Sequence, residues 1–160
     1  MKVLVIGKGG REHAIVHAVS RSKLVSKIYA APGNPGIAAL AECVPIADNK
    51  VDELAAFAKE HAIDLTIVGP EASLALGIVD VFQKEGLKIF GPTKDAAQIE
   101  SSKDFAKQIM VKYGIPTAAY QTFDRYEEAL AYVEAQGAPV VIKEDGLKAG
   151  KGVCVAATIE

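Results

Sequence analysis

Cysteine and histidine are scarce in this sequence, charge of the two signs is nearly balanced, and long apolar runs are missing. Each shortage excludes a class of protein. The two cysteines, Cys43 and Cys154, are too few and too far apart to build a disulfide framework. Three histidines with no close Cys/His pairing leave a structural zinc site without support. Free thiols in a reducing cytoplasm are the expectation. A formal net charge of -2 supplies no field that would draw in nucleic acid or an anionic membrane. Any anionic ligand must therefore be held by local devices, of which loops at helix N-termini are the first. The apolar opening Val3-Leu4-Val5-Ile6 stops at Gly7, short of a signal-peptide core, and no later stretch is long enough to span a bilayer.

What is present is globular: 50% hydrophobic and 24% charged residues over 160 positions, enough for one core or for one domain and part of a second. Short apolar runs alternate with helical patterns, the mark of βαβ units and a parallel sheet. Residues 2–6 read as a central buried strand. A helix is expected from about Glu12 to Ser22, burying Ala14, Ile15, Ala18 and Val19. Strands follow at 27–30 and 43–46, then a helix from Val51 to His61 behind the caps Asp48 and Asn49. Next come a strand over 64–68, a helix over about 75–85 and a strand over 87–90. Beyond Gly91-Pro92-Thr93 the pattern gives a short helix at 95–99 and one from the cap Ser101-Ser102 to Tyr113. It continues with a strand at 118–123, a helix opened by a capping box of Asp124 and Glu127 and closed by Gly137, and strands at 140–143 and 152–157. The fold class is α/β. A Rossmann-like domain is expected over 1–92, a helical connector over 93–116, and the start of a second α+β unit over 117–160. Two or three strands with one full helix make that last unit look unfinished, as in a fragment.

Three loops fall at strand ends where open α/β sheets bind ligands. Gly7-Lys8-Gly9-Gly10-Arg11-Glu12 follows a strand and opens a helix, so its backbone can approach an anion closely. It departs from a dinucleotide fingerprint: His13 stands where the third glycine belongs, and no acid closes the next strand at residue 31. A smaller phosphorylated ligand fits better than NAD, and a tight packing turn is the alternative. Ala31-Pro32-Gly33-Asn34-Pro35-Gly36 is a stiff turn able to present N–H groups, or a plain turn. Glu71, after Gly69-Pro70, either accepts hydrogen bonds from sugar hydroxyls or complements a helix dipole. Together the three loops describe a sugar-phosphate site.

The segment Val140–Val153 reads as strand, loop, strand. Gly146-Leu147-Lys148-Ala149-Gly150-Lys151 satisfies G-x-x-x-x-G-K, but Gly152 replaces Ser/Thr and no helix follows, so it is not a Walker A loop. A flexible hairpin carrying Lys143 could instead fold over a triphosphate, with Lys103 as a further cation. Lys148 reads as a solvated hairpin charge.

The ordered set Gly-Lys-Gly-Gly-Arg-Glu-His (7–13), Ala-Pro-Gly-Asn-Pro-Gly (31–36), Val-Gly-Pro-Glu (68–71), Phe-Gly-Pro-Thr (90–93), Ser-Lys-Asp-Phe-Ala-Lys (102–107) and Asp-Gly-Leu-Lys-Ala-Gly-Lys-Gly-Val (145–153) resembles the phosphoribosylamine–glycine ligase family of the ATP-grasp superfamily. The resemblance covers the whole chain and corresponds to the N-terminal portion of full-length members. It implies a pre-ATP-grasp domain followed by an incomplete ATP-grasp subdomain. It also implies an activity of purine synthesis, in which ATP activates the glycine carboxylate as an acyl phosphate and the amine of 5-phosphoribosylamine attacks it. Carried over by position, Gly9, Gly10, Arg11, Asn34 and Gly36 would hold the sugar phosphate and Glu71 the ribose hydroxyls. Lys103 and Lys143 would meet ATP phosphates beneath a mobile loop containing Asp145, Gly146, Gly150, Lys151 and Gly152. The resemblance implies ATP with Mg2+ or Mn2+, the metal ligands and glycine site lying beyond Glu160, so the 160 residues alone are expected to be inactive as a ligase. Two positions depart from the family pattern: Glu144 after the strand lysine and Lys148 in the loop, where small residues are usual. Another ATP-grasp carboxylate–amine ligase, or a non-catalytic Rossmann-like nucleotide- or sugar-phosphate-binding module, is the competing reading.

Overall fold

The structure, a computed structural model, describes residues 1–158 and divides into two compact units, Met1–Ala97 and Gln98–Glu160. Residues 159 and 160, the close of the expected second subdomain, lie outside the described residues.

The first unit is a five-stranded sheet in the order β3-β2-β1-β4-β5, every pairing parallel. β1 (Lys2–Gly7) is central, between β2 (Lys27–Pro32) and β4 (Leu65–Val68). Both its faces are covered, which is why it reads as an unbroken apolar run. Strand alternation sends Leu4 and Ile6 to one face, with Leu54, Ile78 and Phe82. Val3 and Val5 go to the other, with Val16, Ile28 and Ile37. Burying each such side chain contributes about 1.5–3 kcal/mol, so β1 supplies core residues to both faces of the sheet.

The flanking elements differ from expectation in instructive ways. α1 (Gly10–Ser20) starts at Gly10 and buries Glu12 and Val16, with Ile15 and Val19 half-buried, whereas Ala14 and Ala18 face solvent. The branched side chains one position along reach the sheet where alanine methyls would leave gaps. β3 (Glu42–Cys43) is shorter than expected because Pro45 has no N–H to continue the ladder. α2 (Val51–Glu60) is capped by Lys50 without a side-chain bond, and Asp48 instead offers its carbonyl to Ser73 Oγ at 2.7 Å. The helix expected over 75–85 is α4 (Ile78–Lys84), which starts late behind Gly77 at φ 87°, a left-handed conformation that breaks a helix, and a short helix that was not expected, α3 (Glu71–Ala75), precedes it. β5 (Ile89–Phe90) completes the sheet.

The unit boundary falls inside α5 (Lys94–Ser101). The second unit then has α6 (Lys103–Lys112), α7 (Tyr126–Gln136) and an antiparallel hairpin of β6 (Val140–Lys143) and β7 (Val153–Ala156). Ser102 caps α6, its Oγ accepting the Phe105 N–H at 3.1 Å, and Gly137 closes α7 at φ 78°, both as expected. The strand expected at 118–123 does not form. That segment is held along α6 by side chains: Lys107 Nζ donates to Thr117 Oγ1 and Ala118 O at 2.6 and 3.0 Å, and Thr122 Oγ1 to Asp104 Oδ1 at 2.6 Å. The Asp124–Glu127 capping box is also absent; Arg125 is the N-cap and pairs with Glu128 at 3.7 Å. No described residue after Ala97 is buried, and the hairpin leaves Val141, Ile142, Val153 and Val155 exposed.

Candidate functional site

Because β1, β2 and β4 run parallel, the turns that follow them share one edge of the first unit. After β3 the chain crosses to the other side of β1, so the crevice between β1 and β4 is the topological switch point, where doubly wound sheets take their ligands.

Backbone bonds fix the three turns to one another. Gly33 N–H donates to Gly7 O and Gly69 N–H to Ile6 O, both at 3.1 Å. Side chains complete the set. Asn34 Nδ2 donates to Lys8 O at 2.8 Å while its Oδ1 accepts the Ile37 N–H at 2.9 Å, so Asn34 pins the second turn to the first. A Cβ on Gly36 would stand 2.6 Å from His13 Cε1, so Gly36 marks a close approach of the two turns. On the other side, Arg11 Nη1 donates to Gly69 O at 2.8 Å and to Glu71 Oε2 at 3.1 Å. Five of the six residues expected to hold a sugar phosphate, Gly9, Gly10, Arg11, Asn34 and Gly36, thus sit on β1–α1 and its neighbour turn, with Glu71 across the crevice.

The Arg11–Glu71 pair is 64% and 43% exposed, so it adds at most about 1 kcal/mol to stability. Its structural consequence is placement of a guanidinium beside a carboxylate at the rim. Glu71's own N–H at the start of α3, and then the Arg11 guanidinium, hold the Glu71 carboxyl below its ordinary value. It stays an acceptor under all physiological conditions. The first N–H groups of α1 have no intrahelical acceptor and point to the same rim.

Glu12, named in the sequence only as the end of the first glycine loop and the start of a helix, is buried at 5% exposure. Its Oε2 accepts the Gly9 N–H at 2.6 Å, the reverse arm of a capping box whose other arm is missing because glycine has no side chain. The signal for it was an acid three residues after a would-be cap. Gly9 therefore serves the site by its backbone shape, its N–H being engaged by Glu12.

In the second unit the loop between β6 and β7 is tightly coiled. Gly146, Ala149, Gly150 and Gly152 have φ of 89°, 50°, 78° and 66°. Asp145 at its entry is anchored to the start of α6: it accepts from Lys103 N–H at 2.6 Å, from Ser102 Oγ at 3.0 Å and, weakly, from Asp104 N–H at 3.4 Å. Partial desolvation pushes the Asp145 carboxyl up, but those donors and the Gly146 N–H outweigh it and leave the carboxyl below its ordinary value. Lys103 Nζ donates to Gly146 O at 2.8 Å. Lys103, Asp145 and Gly146 are therefore brought together as the base of the loop, while Lys143 ends β6 and Lys151 and Gly152 lead into β7, all exposed. The two unusual residues, Glu144 and Lys148, form an ion pair with each other across the loop. Among the described residues no group of three His, Cys, Asp or Glu side chains converges as a metal would require, and no helix is long and apolar enough to cross a membrane.

A doubly wound α/β unit with three interlocked turns at its switch point is followed by a lysine- and glycine-rich hairpin, and the part of the chain that holds the hairpin matches an ATP-grasp domain, which puts the protein in the ATP-grasp class. Residues 1–100 match the phosphoribosylglycinamide synthetase N domain and residues 101–160 match the ATP-grasp (A) domain of the same enzyme. The chain belongs to the phosphoribosylglycinamide synthetase family. It is 58% identical over its whole length to a phosphoribosylamine–glycine ligase of Halalkalibacterium halodurans, of which it spans 37%. The crystal structure of the phosphoribosylamine–glycine ligase of Thermotoga maritima superposes with a TM-score of 0.75 at 31% identity, over 99% of this chain and 37% of that one. An ADP complex of N5-carboxyaminoimidazole ribonucleotide synthetase shares the fold at 17% identity and a TM-score of 0.78, over 98% of this chain and 41% of that one.

Proposed function

We infer that this chain supplies the sugar-phosphate domain and the opening of the ATP-grasp subdomain for the ATP-dependent joining of glycine to 5-phosphoribosylamine, which yields glycinamide ribonucleotide, ADP and phosphate. The observation that carries the reading is that Arg11 and Glu71 pair across the β1–β4 switch point while Asn34 pins the neighbouring turn to the first, in a chain of this family. In this reading residues 1–92 form the substrate domain, 93–116 the connector and 117–160 the start of the ATP-binding part. It also carries a cytoplasmic location.

The Gly10 and Arg11 N–H groups at the start of α1, the Arg11 guanidinium and the turn at Asn34 and Gly36 are suited to a phosphate. Glu71, ionised, is suited to accept from two neighbouring ribose hydroxyls. Lys143, Lys151 and Lys103 match the charge of a triphosphate, and Gly146, Gly150 and Gly152 let the loop backbone approach it. Asp145 serves this arrangement as the anchor of the loop. ATP supplies the phosphoryl group that activates glycine. The described residues contribute positioning and charge neutralisation, with no covalent protein nucleophile. The described residues offer no group of three His, Cys, Asp or Glu side chains to hold Mg2+ or Mn2+.

Titration calorimetry with ribose 5-phosphate, ATP and NAD tests the reading. Ribose 5-phosphate binding that disappears in Arg11→Ala, with no binding of NAD, is the expected result. Preference for NAD over both other ligands would overturn it in favour of a dinucleotide-binding module.

A further inference from the structure

We propose that Glu12 is the positioning residue of the strand-end site, and that it decides which anion the site accepts. The observation is a mould. A Cβ on Gly7 would stand 2.5 Å from Glu12 Cγ, one on Gly9 would stand 2.9 Å from Glu12 Oε2, and one on Gly69 would overlap Oε1 and Cγ. Gly7 is also at φ 120°, outside the range of ordinary side chains. Three glycines that look like room for a ligand are instead room for this side chain. Glu12 fills the crevice between the turn after β1 and the turn after β4, and its carboxylate takes the Gly9 N–H.

Two consequences follow. The carboxylate holds Gly9 and Gly69 at a set distance, and Arg11, the adjacent residue, donates to Gly69 O from the same framework. The donors on Gly10 and Arg11 are thereby aimed at the rim. In addition, a pyrophosphate crossing the crevice would meet a buried negative charge at the place where dinucleotide-binding sheets offer a free N–H. A single phosphate on the Asn34 side meets no such obstacle. The positioning part rests only on this geometry; the preference for a terminal phosphate rests on the sugar-phosphate reading above.

The test uses the full chain in three variants: Glu12→Gln, which keeps size and an acceptor oxygen, Glu12→Ala, and Gly69→Ala, whose methyl displaces the Glu12 side chain. Circular dichroism monitors the fold. Amide hydrogen exchange without ligand should find Gly9 slow in the wild type, slow in Glu12→Gln, and at least tenfold faster in Glu12→Ala and Gly69→Ala. Calorimetry should find ribose 5-phosphate at least tenfold weaker in those last two, close to wild type in Glu12→Gln, and ADP-ribose binding gained in Glu12→Gln and Glu12→Ala, which both lack the charge; no gain in either overturns the selectivity. Equal Gly9 exchange in all four proteins overturns the positioning role. If Glu12→Ala fails to fold, Gly69→Ala decides. A wild type that ignores ribose 5-phosphate, with Gly9 still responding to the variants, would remove the sugar-phosphate reading and leave Glu12's role standing.

Discussion

The anchor formed by Asp145 makes a sharp quantitative test, because one carboxylate ties the glycine loop to the start of α6. Asp145→Ala removes a 2.6 Å bond from Lys103 N–H, a 3.0 Å bond from Ser102 Oγ and the weak 3.4 Å bond from Asp104 N–H. Loss of one capping acceptor costs about 0.5–2 kcal/mol. Bonds to an ionised acceptor run to about 1.5–3 kcal/mol, but Asp145 is solvent-exposed, so the lower end applies. The helix itself should persist, since Ser102 Oγ still accepts the Phe105 N–H. The expected cost is about 1–2 kcal/mol confined to the loop and first turn of α6, or about a 5- to 30-fold rise in their opening. Hydrogen exchange at the Lys103 and Asp104 amides reads this directly, and trypsin cleavage after Lys148 or Lys151 should rise in parallel. Asp145→Asn, which retains one acceptor oxygen without the charge, should fall between. The pH dependence has a definite sign. The folded carboxyl lies below its ordinary value, so the anchor is complete above the ordinary aspartate pKa of about 3.9. It is lost as pH falls through the lowered folded value. Exchange of the Lys103 amide within twofold of wild type in Asp145→Ala at neutral pH would refute the argument.

Phe82→Ala, at a fully buried position packed on β1, should lower stability by about 3–5 kcal/mol, read as a drop in denaturant midpoint with an unchanged slope. Arg11→Ala should change stability by less than about 1 kcal/mol, because the pair with Glu71 is exposed, yet weaken ribose 5-phosphate at least tenfold by calorimetry. Lys148→Ala leaves Glu144 unpaired beside the loop and should weaken ATP binding through repulsion, while the Glu144→Ala and Lys148→Ala double variant should recover it; equal ATP affinity in all three proteins would remove that role from the pair.

Much of the fold is written locally. The β1 run, the stop at Gly7, the Ser102 cap and the Gly137 terminator depend on neighbours a few residues away, and each appears where the sequence puts it. The errors share a cause. The buried face of α1 centres on Val16 and leaves out Ala14 and Ala18, because all three are apolar and only the distance to the sheet chooses between them. The helix over 75–85 is periodic enough in sequence, but Gly77 at φ 87° delays its start to Ile78. The segment 118–123 has strand composition, yet its bonds go to Lys107 and Asp104 on α6. Two aromatic residues and a threonine do not by themselves supply a partner strand.

The candidate site divides the same way. The amino-acid order alone put glycine loops at the ends of three strands and ruled out a dinucleotide acid, because glycine freedom and strand periodicity are local properties. Only the folded sheet decided that β1 lies between β2 and β4, and hence that Arg11 reaches Glu71 sixty positions away. The burial of Glu12 among three glycines, and the pairing of Glu144 with Lys148, are likewise tertiary facts. A charged side chain's partner depends on distance through space, which one-dimensional spacing does not encode.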